Sequence, residues 1–431
     1  MSSIRLQLFA TNTTENSSSG NNLSAEMKTY YEKRLIDIAE PKLVHDQFGD
    51  KYPIPQGSGK TVEFRKYDSL AKATTAISEG VTPTGNSLNV TSVNETVMQY
   101  GDWIQLSDML EMSAVDNNVL QSTRLLGAQA GRTLDSITRD VLAGGTNVIY
   151  APKWSGSTAT DITSRVQVNS TCRLTPDLVF RAAAQLKGMN ADPIDDSFVA
   201  IIHPYVAYDL MRSDEWIDAH KYASAENLYT GEIGKLAGVR FVESTEAKIF
   251  AARQLSSTTR TASVSAYASN SSGVTATYGT ATAYALTLSS SLGNTAMQAL
   301  VGQEVCVKDA DNGAVSTVKV VGATVTSKVL FLQGAPSFTP ASGDTVFGAG
   351  GGDEGTSVYA TIVLGAHAYA VTELEGGGLT HIVKQLGYGD DPLNQRSSVG
   401  WKATKAAKRL VEQYMVRIES ASTYSPYAAA N

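Results

Sequence analysis

Apolar residues return every three or four positions along one stretch of this chain. Val119, Leu126, Ala130, Leu134, Ile137 and Val141 share one face, Asp116 stands as N-cap and Gly144-Gly145 as terminator. The pattern predicts a helix over 116–143, about 40 Å long at 1.5 Å per residue. Gly127, Ala128, Ala130 and Gly131 make its middle slim, which predicts a close-packed neighbour there, with Gly131 as a contact. A second helical period, Met27, Tyr31, Leu35 and Ile38, follows Ser24 and stops before Pro41. A third, Leu178, Val179, Ala182 and Leu186, opens on Thr175-Pro176 and ends at Gly188.

Elsewhere the period is two. Val62 and Phe64 alternate with polar residues, 71–92 is polar and broken by Gly80, Pro83 and Gly85, and 93–107 is extended again. Two extended arms around a polar tip predict a protruding hairpin over 60–107. Such a ribbon is marginal alone and is expected to lie on another molecule. Lys60, Arg65, Lys66 and Lys72 give its first arm a basic bias and are the candidate contacts.

An α/β pattern runs over 164–250: the 175–188 helix, a buried strand at 198–202, a turn at His203-Pro204 into a helix to Met211, and a strand at 239–243. From about 254 to 353 the chain turns rich in Ser, Thr, Gly and Val with no helical period, which predicts an inserted β domain of sandwich or barrel type. GAGGGDEG, 348–355, reads as a flexible joint out of it, and 359–364 resumes a buried strand. The C-terminal stretch SVGWKATKAAKRLVEQYMVRI reads as Trp401 leading into a short basic helix, with Lys402, Lys405, Lys408 and Arg409 on a solvated face, and then a strand. Trp401 is a further candidate contact.

At 431 residues, two or three domains are expected. Charged residues are 18% and the net charge is −7, against a sequence-independent nucleic-acid clamp, which needs clustered cations. Cys172 and Cys306 are too far apart in sequence for a disulfide framework and read as free buried thiols, suited to a reducing cytoplasm. The apolar patch Leu6–Ala10 is short for a signal peptide, and no stretch reaches membrane-spanning length.

Chemistry-bearing motifs fail on context. QGSGKT, 56–61, has Ile54 where a phosphate loop needs glycine, and a strand pattern where it needs a helix, so it reads as a turn. His45, His203, His220, His367 and His381 never stand at metal-ligand spacing. Asp192, Asp195 and Asp196 sit on one loop with too few ligands for a cation site, and DADNG, 309–313, reads as a hairpin turn. No catalytic, metal or cofactor residues are expected.

The longer motifs carry a resemblance. LSAEMKTYYEKRLI, LVHDQFG, GKTVEFRKYDSLAKATTAISEGVTPTG, QYGDWIQLSDMLE, LGAQAGRTLDSITRDVLAGGTNV, ELEGGGLTHIVKQLG, DPLNQRSSVGWKATKAAK and YMVRI resemble the major capsid proteins of phage N-four and its relatives, over roughly 23–252 and 357–420. The resemblance implies an α+β fold of the Hong Kong 97 type with an inserted all-β domain. Its parts would be an N-terminal arm with helix (1–49), an extended loop and the start of the peripheral domain (50–112), a spine helix (113–145), an axial domain (146–253), the insert (254–356) and a return to the peripheral domain (357–431). It implies a virion protein assembled in the host cytoplasm, with no enzymatic activity and no membrane. Its partners would be copies of itself in hexamers and pentamers around DNA, separate scaffolding and portal proteins, and decoration proteins. The competing reading is a Ser/Thr-rich adhesin or virion surface protein.

Overall fold

The computed structural model describes residues 13–14, 44–55, 57–67, 70, 72–74, 76, 79–80, 85–113, 118–213, 216, 234–268, 284–375, 378–384 and 393–431. The helix expected over 24–39 and part of the hairpin tip lie outside them. The chain forms two compact units, 1–142 with 367–411, and 143–366 with 412–431.

The first unit is built on one long strand, Arg396–Arg409. It pairs antiparallel with Met98–Ser107 along one edge, and on the other with Thr380–Lys384 and then Tyr369–Thr372. Thr13–Thr14 and Asp50–Lys51 close the six-stranded sheet at its flanks. The basic helix expected after Trp401 is therefore a strand. Its two-residue period sets Val399, Trp401, Ala403 and Lys405 on one buried face, and backbone pairing on both edges outweighs the helix propensity of Lys and Ala. The helix Asn118–Ala143 lays Leu126 and Ala130 on that face, against Val399, Trp401 and Ala403, with Tyr100 and Ile104 from the neighbouring strand. Gly127, expected at a close contact, is exposed, and no atom lies within 4 Å of where its Cβ would stand.

The hairpin also differs from expectation. Thr61–Tyr67 pairs with Val90–Thr96 in a two-stranded sheet, but Met98–Ser107 leaves it for the main sheet. The break is at Val97, whose side chain is buried with Ile54 and Ala406 and whose N–H donates to the Lys60 carbonyl at 2.8 Å.

The second unit has a seven-stranded sheet ordered Lys235–Leu236, Val239–Glu243, Phe198–Ile202, Val358–Leu364, Met415–Ser420, Val148–Tyr150, with Ile249–Phe250 on Val358–Leu364. Its central strands are buried on both faces, so they read as continuous apolar runs. The helix Pro176–Gly188 packs Leu178, Val179, Ala182 and Leu186 into that core. Arg417 donates to the carbonyls of Ala143 and Gly145, occupying acceptors freed where the long helix ends. Glu419, fully buried, pairs with Arg417 and takes a two-point contact from Arg165 at 2.6 and 2.8 Å.

Between Ile249–Phe250 and Val358–Leu364 the chain builds a closed barrel of six strands, Thr261–Ala268, Tyr284–Leu288, Glu304–Lys308, Val315–Thr324, Val329–Leu332 and Thr345–Gly348. Leu286, Val305, Val320, Leu330 and Val346 fill it. DADNG is the turn of one of its hairpins: the Asp309 carboxylate accepts the Asp311 N–H at 2.8 Å and Gly313 has φ +70°. Cys172 and Cys306 are both free and buried.

The glycine run leaving the barrel is packed, which overturns its reading as a flexible joint. A Cβ on Gly348 would stand 1.9 Å from the Arg253 carbonyl oxygen, on Gly351 2.4 Å from the Ala252 nitrogen, and on Gly352 2.2 Å from the Val168 carbonyl oxygen. These glycines let backbone lie on backbone where the barrel enters and leaves the unit. Gly352→Ala is expected to cost about 1–3 kcal/mol, because the atom it meets is backbone and cannot swing away. Gly334→Ala, with open space around it, serves as the control. Urea unfolding of the two variants checks the difference.

His203 makes this unit sensitive to acid. Its Nδ1 accepts the Tyr205 N–H at 3.2 Å at the start of the helix Pro204–Met211, and its ring packs on Tyr205 and Tyr359. Burial lowers its pKa from 6.5 to about 4. The unfolded chain then binds the proton more tightly, so stability is full above pH 6.5 and falls toward pH 4. His203→Asn keeps an acceptor without titrating there and should flatten that part of the profile in thermal melts at stepped pH.

Candidate assembly surfaces

The sheet of the first unit carries an apolar stripe on the face turned away from the long helix. Strand pairing lines up Trp103, Gly400 and Ile382 across three strands. Trp103 is 58% exposed, and a side chain at Gly400 would begin 2.9 Å from its Cβ, so the glycine leaves the indole room to lie close to the sheet. Met98, which pairs with Lys405, and Val383, which pairs with Val399, belong to the helix-side face and are exposed as well, as is Leu379 just before the outer strand. Thr380–Lys384 is exposed at every residue. Large apolar groups exposed on both faces of a sheet at its edge are the mark of a region that meets another protein.

The expected contacts divide. Lys60, Arg65, Lys66 and Lys72 are all exposed on or beside the hairpin, and among the described residues Arg65 approaches Glu63 of its own strand, at 3.5 Å. At the hairpin's base Lys408 pairs with Glu95 at 2.8 Å, and Tyr52 meets Phe64 edge-on. Gly131 is half-buried on the long helix. Trp401 is inside the unit at 5% exposure, its Nε1 donating to Gln129 Oε1 at 3.3 Å, so it joins helix to sheet within one subunit. Gly57 and Gly59 have φ of +83° and +85° ahead of the strand Thr61–Tyr67, the turn expected of QGSGKT. Among the described residues no group of three or more His, Cys, Asp or Glu could hold a metal.

Beneath the sheet lies a charged cluster that sequence reading missed. Lys405 Nζ, placed by the strand on the helix side, contacts Asp46 and donates to the Leu134 carbonyl at 2.8 Å. Asp46 also accepts from Thr138 Oγ1 at 2.5 Å. His45 Nδ1 lies 2.7 Å from Asp135 Oδ2, its backbone N–H donates to the other carboxylate oxygen at 2.8 Å, and Tyr369 O–H donates to the His45 carbonyl. The HD pair of LVHDQFG is thus bound to helix and sheet at once. Burial pulls the Lys405 pKa down, and Asp46 opposes that. The two-residue spacing of Val399, Trp401, Ala403 and Lys405 is the signal that could have found the buried lysine.

A family model for phage capsid proteins matches residues 105–318, from the strand Met98–Ser107 into the barrel. The fold is similar to that of the capsid of Ralstonia phage GP4, with TM-score 0.53 and 12% identity over 96% of this chain and 100% of that one. It is similar too to the capsid of cyanophage P-SCSP1u (TM-score 0.52, 13% identity, 94% and 96% covered) and of cyanophage Pam1 (0.52, 12%, 92% and 98%). A search of curated proteins gave no significant match.

Removing either partner of the Lys405–Asp46 pair should not cost the same. The Lys405 side chain is 6% exposed, while that of Asp46 is 38% exposed. Asp46→Ala strands a buried ammonium and should cost about 3–5 kcal/mol. Lys405→Met leaves a carboxylate that water and Thr138 still solvate, and should cost about 1–2 kcal/mol. In Asp46→Ala the folded-state pKa of Lys405 falls further below its unfolded value, so the unfolded state binds more protons and stability should recover as pH rises toward 10.5. Chemical denaturation at neutral and alkaline pH tests both statements.

Proposed function

We propose that this chain is a phage major capsid protein of the Hong Kong 97-type fold, and that its copies form hexamers and pentamers of an icosahedral shell around double-stranded DNA. The family and the fold are structural, and the protein belongs to the virion, where it associates with itself. The observation that carries the fuller reading is the capsid family match combined with a capsid fold along nearly the whole chain.

On this reading residues 1–49 are the N-terminal arm, 50–112 the extended loop and the start of the peripheral domain, and 113–145 the spine. Residues 146–253 are the axial domain, 254–356 the inserted barrel, and 357–431 the return to the periphery. The motif resemblance supports a place among the relatives of phage N-four. Assembly takes place in the host cytoplasm, with scaffolding and portal proteins as separate chains, and the subunit performs no catalysis. The net charge of −7 supports enclosing DNA without gripping its phosphates.

The extended loop lies across an adjacent subunit. Both faces of the Thr61–Tyr67/Val90–Thr96 ribbon are largely exposed, with Tyr67 at its outer end 62% accessible, so its order is completed by a neighbour. The full-length chain produced in cells should yield shells tens of nanometres across in micrographs and fast-sedimenting particles; a stable monomer would sink the reading. Arg65→Glu with Lys66→Glu should lower particle yield while leaving the thermal melt of the subunit unchanged. Each exposed pair is worth only about 0–1 kcal/mol, but every subunit repeats it.

A further inference from the structure

The second unit has a cavity of about 690 Å³ at the N-terminal end of the helix Pro176–Gly188. It is lined by Trp154, Arg173, Thr175, Asp209, Arg212 and Thr423, among others. Both guanidiniums are exposed, and neither has a carboxylate partner among the described residues. Arg212 is held in place by its donation to the Tyr208 hydroxyl at 2.7 Å and by that ring beneath it. Asp209 is the lining's acid, but it is buried and accepts from both the backbone N–H and the hydroxyl of Thr423. The N-cap Thr175 makes no side-chain bond to the helix, so the positive end of a 13-residue helix adds to the two arginines. Charge, hydroxyls and Trp154 together suit a carboxylate-bearing peptide, which two forked cations can clasp.

The same unit carries the matching piece at the other end of that helix, about 20 Å away at 1.5 Å per residue. Asp192, Asp195 and Asp196 are exposed on the loop between Gly188 and Phe198, and no cation pairs with them among the described residues. The loop is stiff. The Ala366 N–H donates to the Asp192 carbonyl at 2.8 Å, Ile194 and Ser197 exchange backbone bonds, and Asp195 has φ +57°. A preformed acidic loop loses little freedom on docking.

We propose that the acidic loop of one copy docks into the arginine-lined cavity of the next, head to tail, so that repetition closes a ring. Two different patches on one subunit make a heterologous contact, the kind that generates cyclic rings. The proposal rests on the hexamers and pentamers proposed above and names the contact that would hold them.

The test uses the full-length chain produced in cells, with particle yield read by sedimentation and electron microscopy and fold read by thermal melting of soluble subunits. Arg173→Glu with Arg212→Glu should lower particle yield at least about tenfold, as like charges meet. Asp192→Lys with Asp196→Lys should do the same; Asp195 is left alone because its backbone conformation strains other residues. All four changes together restore the attraction and should return the yield to within about threefold of the unmodified chain. The milder pair Arg173→Gln and Arg212→Gln, which adds no repulsion, should lower yield in the same direction if the Glu variants do not fold. Unchanged yields in the single-patch variants, or no rescue in the combination, would overturn the proposal. So would intact shells that contain less DNA, which would make nucleic acid the occupant. An unmodified chain that forms no particles would instead count against the shell itself.

Discussion

The buried face of the strand Arg396–Arg409 ends in a lysine, and the first unit is organised around satisfying it. An ammonium at that depth needs a carboxylate, and Asp46 supplies it from a segment more than three hundred residues away in sequence. Once Asp46 is fixed, His45 beside it meets Asp135 of the long helix and Tyr369 of the adjacent strand. Helix, sheet and the 44–50 segment are therefore joined by directional polar contacts as well as by apolar area. Such contacts tolerate little sliding, and they define one register of helix on sheet where Leu and Ala alone would allow several. That buried polar groups confer this uniqueness is a hypothesis here; helix register retained after the whole cluster is replaced by apolar residues would refute it.

The parts that were legible in the sequence are those where one period dominates. The 118–143 and 176–188 helices bury one stripe each, and the 198–202 and 358–364 strands are apolar runs short enough for a doubly covered sheet. Ambiguity came where two periods overlap. In WKATKAAKR, lysines three apart fit a helix, while Trp401, Ala403 and Lys405 two apart fit a strand; the partner strand Met98–Ser107, remote in sequence, settles the matter. The hairpin's second arm was misjudged for a similar reason. Nothing local to Val97 announces that the chain changes sheets there; the cause is its burial against Ile54 and Ala406. Of the candidate contacts, the hairpin cations could be recognised by charge, whereas Trp401 turned inward because large aromatic residues fill cores as readily as interfaces.

The glycine run 348–352 shows how composition alone misleads. Five residues rich in glycine suggest a linker, yet glycine also allows main chains to touch. Here Gly348, Gly351 and Gly352 lie against Arg253, Ala252 and Val168, and the carboxylate of Asp353 next in line receives Lys308 from the barrel and Lys153 from the unit's small hairpin. Burial and two cations hold the junction. The barrel is thus joined to the sheet of the second unit through a packed, ion-paired root that leads into Val358–Leu364.

Charge has two separate functions in this subunit. Inside, cations are matched by single carboxylates: Lys405 by Asp46, and Arg417 with Arg165 by Glu419. On the surface of the second unit, Arg173 and Arg212 stand at one end of the helix Pro176–Gly188 and Asp192, Asp195 and Asp196 at its opposite end, without oppositely charged partners among the described residues. A monomer gains nothing from that separation, since pairs at closer range would be stabler. At the proposed ring contact a second copy brings the opposite patch near, and water leaves both. Interior pairing and exterior segregation are what a chain needs if it must fold alone and then bind its own likeness. Salt screens the exterior charges over roughly 10 Å while leaving the interior pairs nearly untouched, so the two functions can be separated by ionic strength.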